Sequence, residues 1–363
     1  MENLVLYRKY RPKSFSEVVN QQHIVRTLTN ALVLNRVAHA YLFTGTRGTG
    51  KTTIARLLAK AVNCESLQKS EPCNKCSACK QINENRALDL MEIDAASNRG
   101  IDEIRQLREG IKFSPSQLKY KVFIIDEVHQ LTKEAFNALL KTLEEPPAHA
   151  IFILATTEIH KVPETIISRC QRFDFHKLTL DAIVKRLSWI CQQEKVKIAK
   201  EALELIALNA DGAVRDGESL LGQIMAMEDK DITLEEVQTI LGVTDITAIQ
   251  KLIDFLSQKQ ISQAITHINQ VSFEGYDLTQ YAKSLINYLR KMMILKIDNQ
   301  LFSLVAAELT KEQLSVIVNQ SQKFSDTDIT RIIRLFIQAE NDLKFTTLPQ
   351  LPLELAIIEC CEK

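Results

Sequence analysis

The chain is expected to be an α/β module, a parallel sheet with flanking helices and a small cysteine knuckle, followed by two all-α parts. Three observations predict this: a phosphate-loop string behind a short apolar run, a second apolar run that ends in two carboxylates, and a change from strand to helix patterning near residue 179.

The phosphate loop is Gly45-Thr46-Arg47-Gly48-Thr49-Gly50-Lys51-Thr52, behind Tyr41-Leu42-Phe43. Its glycines let backbone N–H groups turn inward around a phosphate. Lys51 brings a point charge to the β- and γ-oxygens, and the Thr52 hydroxyl can ligate Mg²⁺. The next residues, from Thr53 to Lys60, read as a helix whose N-terminal dipole adds to the anion site. Gly45, Thr46, Gly48, Thr49, Gly50, Lys51, Thr52 and Thr53 are the candidate phosphate contacts, which makes a nucleotide the expected ligand and leaves kinase, GTPase and ATPase open.

The second run, Lys121-Val122-Phe123-Ile124-Ile125-Asp126-Glu127, places two carboxylates at the C-terminal edge of a buried parallel strand, where α/β sheets hold ligands. An isolated pair there would read as a solvated acidic turn. With the phosphate loop upstream, Asp126 is expected to hold Mg²⁺ together with Thr52, and Glu127 to polarise an attacking water.

The chain has 363 residues, 45% of them hydrophobic, with 45 basic and 45 acidic side chains, so two or three domains are expected. A balanced charge neither demands nor excludes nucleic acid. No apolar run has the length of a membrane span, and the basic start lacks the apolar core of a signal peptide. A cytoplasmic protein with no membrane partner is expected.

Four of the eight cysteines, Cys64, Cys73, Cys76 and Cys79, form C-x₈-C-x₂-C-x₂-C in a polar stretch. In a reducing compartment this spacing favours tetrahedral Zn²⁺. An iron–sulfur cluster is the rival, but the C-x₃-C-P that would follow is absent. Four sulfur ligands leave no open position, so the expected metal is structural. Cys170, Cys191, Cys360 and Cys361 read as ordinary small apolar residues.

Strand candidates lie at 41–43, 88–93, 122–125, 151–155 and 172–175, consistent with a doubly wound sheet. Between them, Ile101, Ile104, Leu107 and Ile111 form one helical stripe. Leu131, Ala135, Ala138, Leu139 and Leu143 form another, stopped by Pro146-Pro147. After residue 179 the strand signal fades. Thr233-Leu234-Glu235-Glu236 is a capping box opening a helix that Gly242 can close, with a boundary near Val243. Beyond it, segments such as 281–296 and 329–345 read as part of a bundle of five or six helices. The expected domains are 1–178 with the insertion at about 64–79, 179–242 and 243–363.

A phosphoryl-transfer site needs positive charge beyond Lys51, and Arg169 and Arg215 are the candidates. Arg169 precedes the last strand and has no obvious acidic partner nearby in sequence. Arg215 opens a helix outside the sheet. Thr156-Thr157 lies on the same sheet edge as Asp126 and Glu127, where a polar sensor fits.

These residues together resemble the AAA+ clamp-loader ATPases, most closely the gamma/tau branch found in bacterial DNA polymerase III. The resemblance runs nearly end to end. It rests on Tyr7-Arg8-Lys9-Tyr10-Arg11-Pro12 with Val18-Val19, His39-Ala40-Tyr41-Leu42-Phe43, the four-cysteine insertion, Ile125-Asp126-Glu127-Val128-His129, Leu143-Glu144-Glu145-Pro146-Pro147, Ala155-Thr156-Thr157-Glu158 and Ser168-Arg169-Cys170. The resemblance implies an AAA+ module, lid and collar, and an ATPase that opens a sliding clamp and loads it onto primer-template DNA. It further implies a five-membered ring containing other copies of the chain with delta and delta-prime subunits. Tyr7, Arg11, Val18 and Val19 would then contact the adenine side of ATP. Thr157 would be sensor 1, Arg215 sensor 2, and Arg169 a finger reaching the neighbouring subunit's site.

Arg99 and Arg105 are the implied DNA contacts, made to phosphates. The alternative is a ring motor for branch migration or helicase loading, and a different class is a scaffold subunit that binds no nucleotide. Two departures from the family pattern appear. Gly217-Glu218-Ser219-Leu220 follows Arg215-Asp216 where many relatives have Ala-Leu-Ser-Leu, and a helical glycine costs about 1 kcal/mol against alanine. The tail expected of the long form is not in this sequence, either by truncation or because the product is short.

Overall fold

The computed structural model describes residues 5–98, 100, 107, 109–227, 231–240, 246–297 and 311–361. It divides into two compact units, Met1–Thr233 and Leu234–Lys363.

The first unit is built on five parallel strands: β1 (Ala40–Thr44), β2 (Leu90–Asp94), β3 (Lys121–Asp126), β4 (Ala150–Thr156) and β5 (Gln171–Asp174), in the order β2-β3-β4-β1-β5. Each expected strand is present with ends shifted by one or two residues. Alternation explains the layering. Tyr41, Phe43, Val122, Ile124, Ile151 and Ile153 enter one core, while Ala40, Leu42, Phe123, Ile125, Phe152 and Leu154 enter the core on the opposite face. A sheet covered on both faces needs such unbroken apolar strands. Register then sets the site, because Thr44 pairs with Thr156, and Asp94 with Asp126, along one C-terminal edge.

Numbered in chain order, the helices of this module begin with α1 (Leu6–Lys9), α2 (Gln22–Val33), α3 (Lys51–Val62) and α4 (Ser77–Asn83). They continue with α5 (Lys133–Glu144) and α6 (Glu164–Ile167). Helix α5 is capped by Thr132, whose side chain accepts from Ala135 N–H, and ends just before Pro146-Pro147. Its stripe is buried as expected at Leu131, Ala135, Leu139 and Leu143, with Ala138 half-buried. Leu107 and Ile111 are buried in the same core, whereas Ile101 and Ile104 lie outside the described residues, as do Arg99, Arg105, Gly242 and Val243.

From residue 180 helices dominate, with α7 (Leu180–Glu194), α8 (Lys200–Asn209) and α9 (Val214–Met227). The fading strand signal misses a two-stranded parallel ribbon, β6 (Lys197–Ile198) with β7 (Asp231–Ile232), each strand too short to show a period. Gly217 has a packing reason here. A Cβ at this position would stand 3.3 Å from both Ala210 Cβ and Ile183 Cγ2, so glycine lets α9 lie close on its neighbours. In the second unit, α10 (Leu234–Ile240) starts immediately after Thr233. The described residues continue as α11 (Ile246–Ser257), α12 (Ile261–Phe273), α13 (Leu278–Ile297), α14 (Lys311–Ser321), α15 (Asp326–Asp342) and α16 (Leu351–Cys361) around one apolar core. A capping box between Ser325 and Asp328 starts α15. Among the described residues no helix is long and apolar enough to cross a membrane.

Candidate nucleotide-binding site

The phosphate loop runs from the end of β1 into α3, and two of its glycines are required by close approach. Gly45 has φ +148°, and a Cβ there would lie 2.6 Å from Phe175 O. Gly48 has φ +79°, and its Cβ would lie 2.6 Å from Ala213 Cβ. Gly50, at φ +101°, is the residue before the first turn of α3. Lys51 is buried and folds across the loop, its Nζ donating to Gly45 O at 2.8 Å and Thr46 O at 2.9 Å. Burial lowers its pKa, and the Glu127 and Asp126 charges oppose that shift.

On the facing sheet edge, Thr52 Oγ1 donates to Asp126 Oδ2 at 2.7 Å, giving two hard oxygen donors side by side as Mg²⁺ requires. Glu127, in the left-handed region at φ 49°, turns away from the strand and accepts from Thr157 Oγ1 at 2.9 Å and Thr157 N–H at 3.3 Å. The buried His129 Nδ1 lies 3.4 Å from Glu127 Oε2 and 3.0 Å from Thr156 Oγ1, so one ring bridges the carboxylate and the end of β4.

These groups open into a cavity of ≈ 500 Å³. Tyr7, Arg11, Val18 and Val19 line its N-terminal side, and Gly48, Thr49, Gly50, Lys51, Thr52, Thr53, Asp126 and Glu127 its phosphate-loop side. Gly45 and Thr46 instead offer their carbonyls to Lys51. Arg215 closes the rim, its guanidinium 4.6 Å from the centre of the Tyr7 ring, and the hydrogen bond from Arg215 holds the Tyr7 phenol below its usual pKa.

Arg169 does not line this cavity. It pairs with Glu144 at the end of α5 and donates from Nη1 to Thr165 O, while its Nε is buried without a partner. The acidic partner that local sequence did not reveal therefore exists, brought from across the fold. An exposed pair of this kind stabilises little.

Three family profiles of DNA polymerase III match consecutive parts of the chain: the delta subunit over residues 20–179, the clamp loader subunit ATPase lid domain over 182–230, and domain III of subunits gamma and tau over 232–363. DNA polymerase III subunit tau of Bacillus subtilis is 44% identical over 362 residues, covering 100% of this chain and 64% of that protein. Subunit tau of Escherichia coli is 35% identical over 99% of this chain and 55% of its own length. Subunit gamma of Buchnera aphidicola from Acyrthosiphon pisum is 34% identical over 99% of this chain and 98% of its own. The chain belongs to the gamma/tau family of DNA polymerase III subunits. It spans less than two thirds of the length of the two tau relatives. The Thermotoga maritima RuvB branch migration motor matches with a TM-score of 0.49 and 19% identity over 68% of this chain and 78% of that one, too distant a likeness to bear on the reading.

Within this gamma/tau chain, Cys64, Cys73, Cys76 and Cys79 bring their sulfurs within 4.8 Å of one another. A tetrahedral ion with ~2.3 Å metal–sulfur bonds needs sulfurs about 3.8 Å apart, and Cys73 Sγ and Cys79 Sγ are 3.9 Å apart. Backbone N–H groups already point at the sulfurs: Cys73 N to Cys64 Sγ at 3.3 Å and Cys76 N to Cys73 Sγ at 3.3 Å. The N–H groups of Lys75 and Cys76 pull the Cys73 thiol down to about 6, which favours the thiolate a metal needs. The donor set fits a four-coordinate ion. By contrast, burial pushes the Cys170 and Cys360 thiols up to about 12 and Cys191 to about 11, as expected of unreactive packing residues.

Sequence patterning missed two wall residues from the lid side, Arg186 and Glu218. Their side chains are 9% and 7% exposed and bond at 2.9 Å from Nε to Oε1. Arg186 Nη2 also donates to Tyr10 O, and its guanidinium lies 4.9 Å from the Trp189 ring centre. Burial pushes the Glu218 carboxyl up while Arg186 pulls it down. The only signal in the sequence was the departure at Gly217-Glu218 itself.

Proposed function

We propose that the chain is an ATPase subunit of a bacterial clamp loader, in which ATP binding and hydrolysis open a sliding clamp and load it onto primed DNA. The observation that carries this is the intact phosphate loop and Asp126-Glu127 pair in one cavity, in a chain of the gamma/tau family. Its parts would be the AAA+ module at 1–178, a lid at 179–242 and a collar at 243–363.

In this reading the loop amides and Lys51 hold the β- and γ-phosphates, while Arg11, Val18, Val19 and Tyr7 receive the base end. Thr52 and Asp126 would hold Mg²⁺, whose charge offsets that of the phosphates. Glu127 polarises the attacking water. In the resting geometry its carboxylate is engaged by Thr157, so Thr157 as sensor 1 would release or aim it according to the state of the γ-phosphate. Arg215 as sensor 2 sits over Tyr7 at the rim, where it would couple nucleotide occupancy to lid position. Arg169 would complete the site of the neighbouring subunit, which accords with its place outside its own cavity. The metal of the cysteine knuckle would be zinc, closing that insertion. The partners would be delta, delta-prime and other copies of the chain in a five-membered ring, with the clamp and primer-template DNA, in the cytoplasm. The work comes from different affinities of the two nucleotide states for clamp and DNA.

The test is steady-state ATP hydrolysis with delta, delta-prime, clamp and primed DNA. Stimulation by clamp plus primer junction in wild type, lost in Arg169→Ala while ATP binding persists, supports the proposal. Hydrolysis indifferent to the clamp contradicts it and favours a ring motor.

A further inference from the structure

The insertion at 64–79 buries little apolar side chain of its own, and Lys69, Ser70 and Asn74 stand in the left-handed region at φ 47°, 70° and 56°. One isolated antiparallel bridge, Gln68 to Glu71, closes its turn. A segment built this way draws its shape from a cross-link.

Its outward contacts converge on one place. Glu71 accepts from Phe15 N–H at 2.7 Å and Ser16 N–H at 2.8 Å, using both carboxylate oxygens. These are the first donors of the 3-10 turn Phe15–Glu17, whose preceding residue Ser14 offers no side-chain cap. Asn74, directly after the Cys73 ligand, donates to Lys13 O at 3.1 Å. Lys60, 2% exposed, ties the arrangement together by donating to Lys13 O at 2.7 Å, Asn74 Oδ1 at 2.6 Å and Asn83 Oδ1 at 2.9 Å. The turn so gripped lies in the chain between Arg11-Pro12 and Val18-Val19, and all four of those residues line the nucleotide cavity. The segment from Pro12 to Val19 belongs to no strand of the sheet, so these bonds and the buried Phe15 ring fix its position.

We propose that the four-cysteine knuckle is a positioning element for the nucleotide pocket: when its metal is bound, Glu71 and Asn74 hold the turn at 13–16 and thereby set the wall formed by Arg11, Pro12, Val18 and Val19. This rests on the nucleotide-binding reading above and adds a coupling between two sites. Coupling is reciprocal, so the factor by which metal strengthens nucleotide binding must equal the factor by which nucleotide strengthens metal binding. A knuckle that merely held its own loop would give a factor of one in both directions.

The experiment titrates a fluorescent ADP analogue into the zinc-loaded full chain and into Glu71→Ala, with zinc content measured for both. In parallel, the zinc affinity of wild type is measured by equilibrium competition with a chelator, with and without saturating ADP. The expected result is about tenfold weaker nucleotide binding in Glu71→Ala at unchanged zinc content, within the usual range for coupled sites. ADP is expected to tighten zinc binding severalfold. Equal ADP affinity in wild type and Glu71→Ala, or a zinc affinity indifferent to ADP, overturns the coupling alone. A wild type that binds no ADP overturns the nucleotide reading beneath it. Should Glu71→Ala fail to fold, the zinc affinities of wild type with and without ADP decide the matter.

Discussion

The buried pair between Arg186 and Glu218 gives the sharpest test of how the lid is joined to the nucleotide pocket. Both side chains are less than a tenth exposed, and the pair is completed by the Tyr10 carbonyl and the Trp189 ring. Glu218→Ala would leave a guanidinium buried without its counter-charge, which costs about 3–5 kcal/mol. For a unit the size of Met1–Thr233 that corresponds to a fall in Tm of about 6–20 °C. Arg186→Met would cost a comparable amount. The double variant Arg186→Met with Glu218→Ala removes both charges together and should fall short of the summed single losses by at least about 1 kcal/mol. Recovery stays incomplete because Tyr10 O loses its donor. Calorimetric unfolding of the four proteins reads these values directly. Single variants within about 1 kcal/mol of wild type, or strictly additive losses, would refute the claim that the pair is buried and coupled.

Three further outcomes are expected. Asp89, buried, accepts from Ser116, Gln117 and Leu118 N–H at 2.7–3.0 Å; burial pushes its carboxyl up, but those bonds together outweigh it and hold the pKa below the usual carboxylate value. Its contribution is therefore present above its unfolded value of 3.8 and is lost as pH falls through the lower folded value, so Asp89→Asn should be about 2 kcal/mol less stable at pH 7, with the gap narrowing in acid when measured by urea unfolding. Gly48→Ala must hold a methyl group at φ +79° and 2.6 Å from Ala213 Cβ, so ATP binding should weaken by about tenfold or more in an equilibrium titration. Lys51→Ala should leave the melting temperature near that of wild type while removing measurable ATP binding, because the side chain's partners within the loop are two backbone carbonyls.

Much of the site was legible because short-range chemistry writes it. The phosphate loop needs its glycines and Lys51 in one string, and Asp126-Glu127 needs only a strand end, so pattern and position coincide. The strands could be read from apolar alternation that feeds two cores. What sequence hid was pairing across the fold. Glu144 reaches Arg169 only because α5 and the turn before β5 meet at one edge, and Arg186 reaches Glu218 only because Gly217 lets α9 approach α7. His129 was visible as a letter beside Glu127, but its bridge to Thr156 depends on the register of β3 against β4. The grip of Glu71 on Phe15 and Ser16 was likewise invisible, since it joins two loops that carry no periodicity.

The proposed composite site, with Glu127 acting on the water and Arg169 as a finger, is tested most directly by mixing two proteins that this proposal makes inactive. Glu127→Gln keeps Arg169 but cannot polarise the water, whereas Arg169→Ala keeps Glu127 but gives its neighbour no finger. Each should load ATP and hydrolyse it at about a thousandth of the wild-type rate with delta, delta-prime, clamp and primed DNA. Rings assembled from the two together should regain hydrolysis, because an Arg169→Ala subunit receives the finger of a Glu127→Gln neighbour. Mixed rings no more active than either parent would contradict a site shared between subunits.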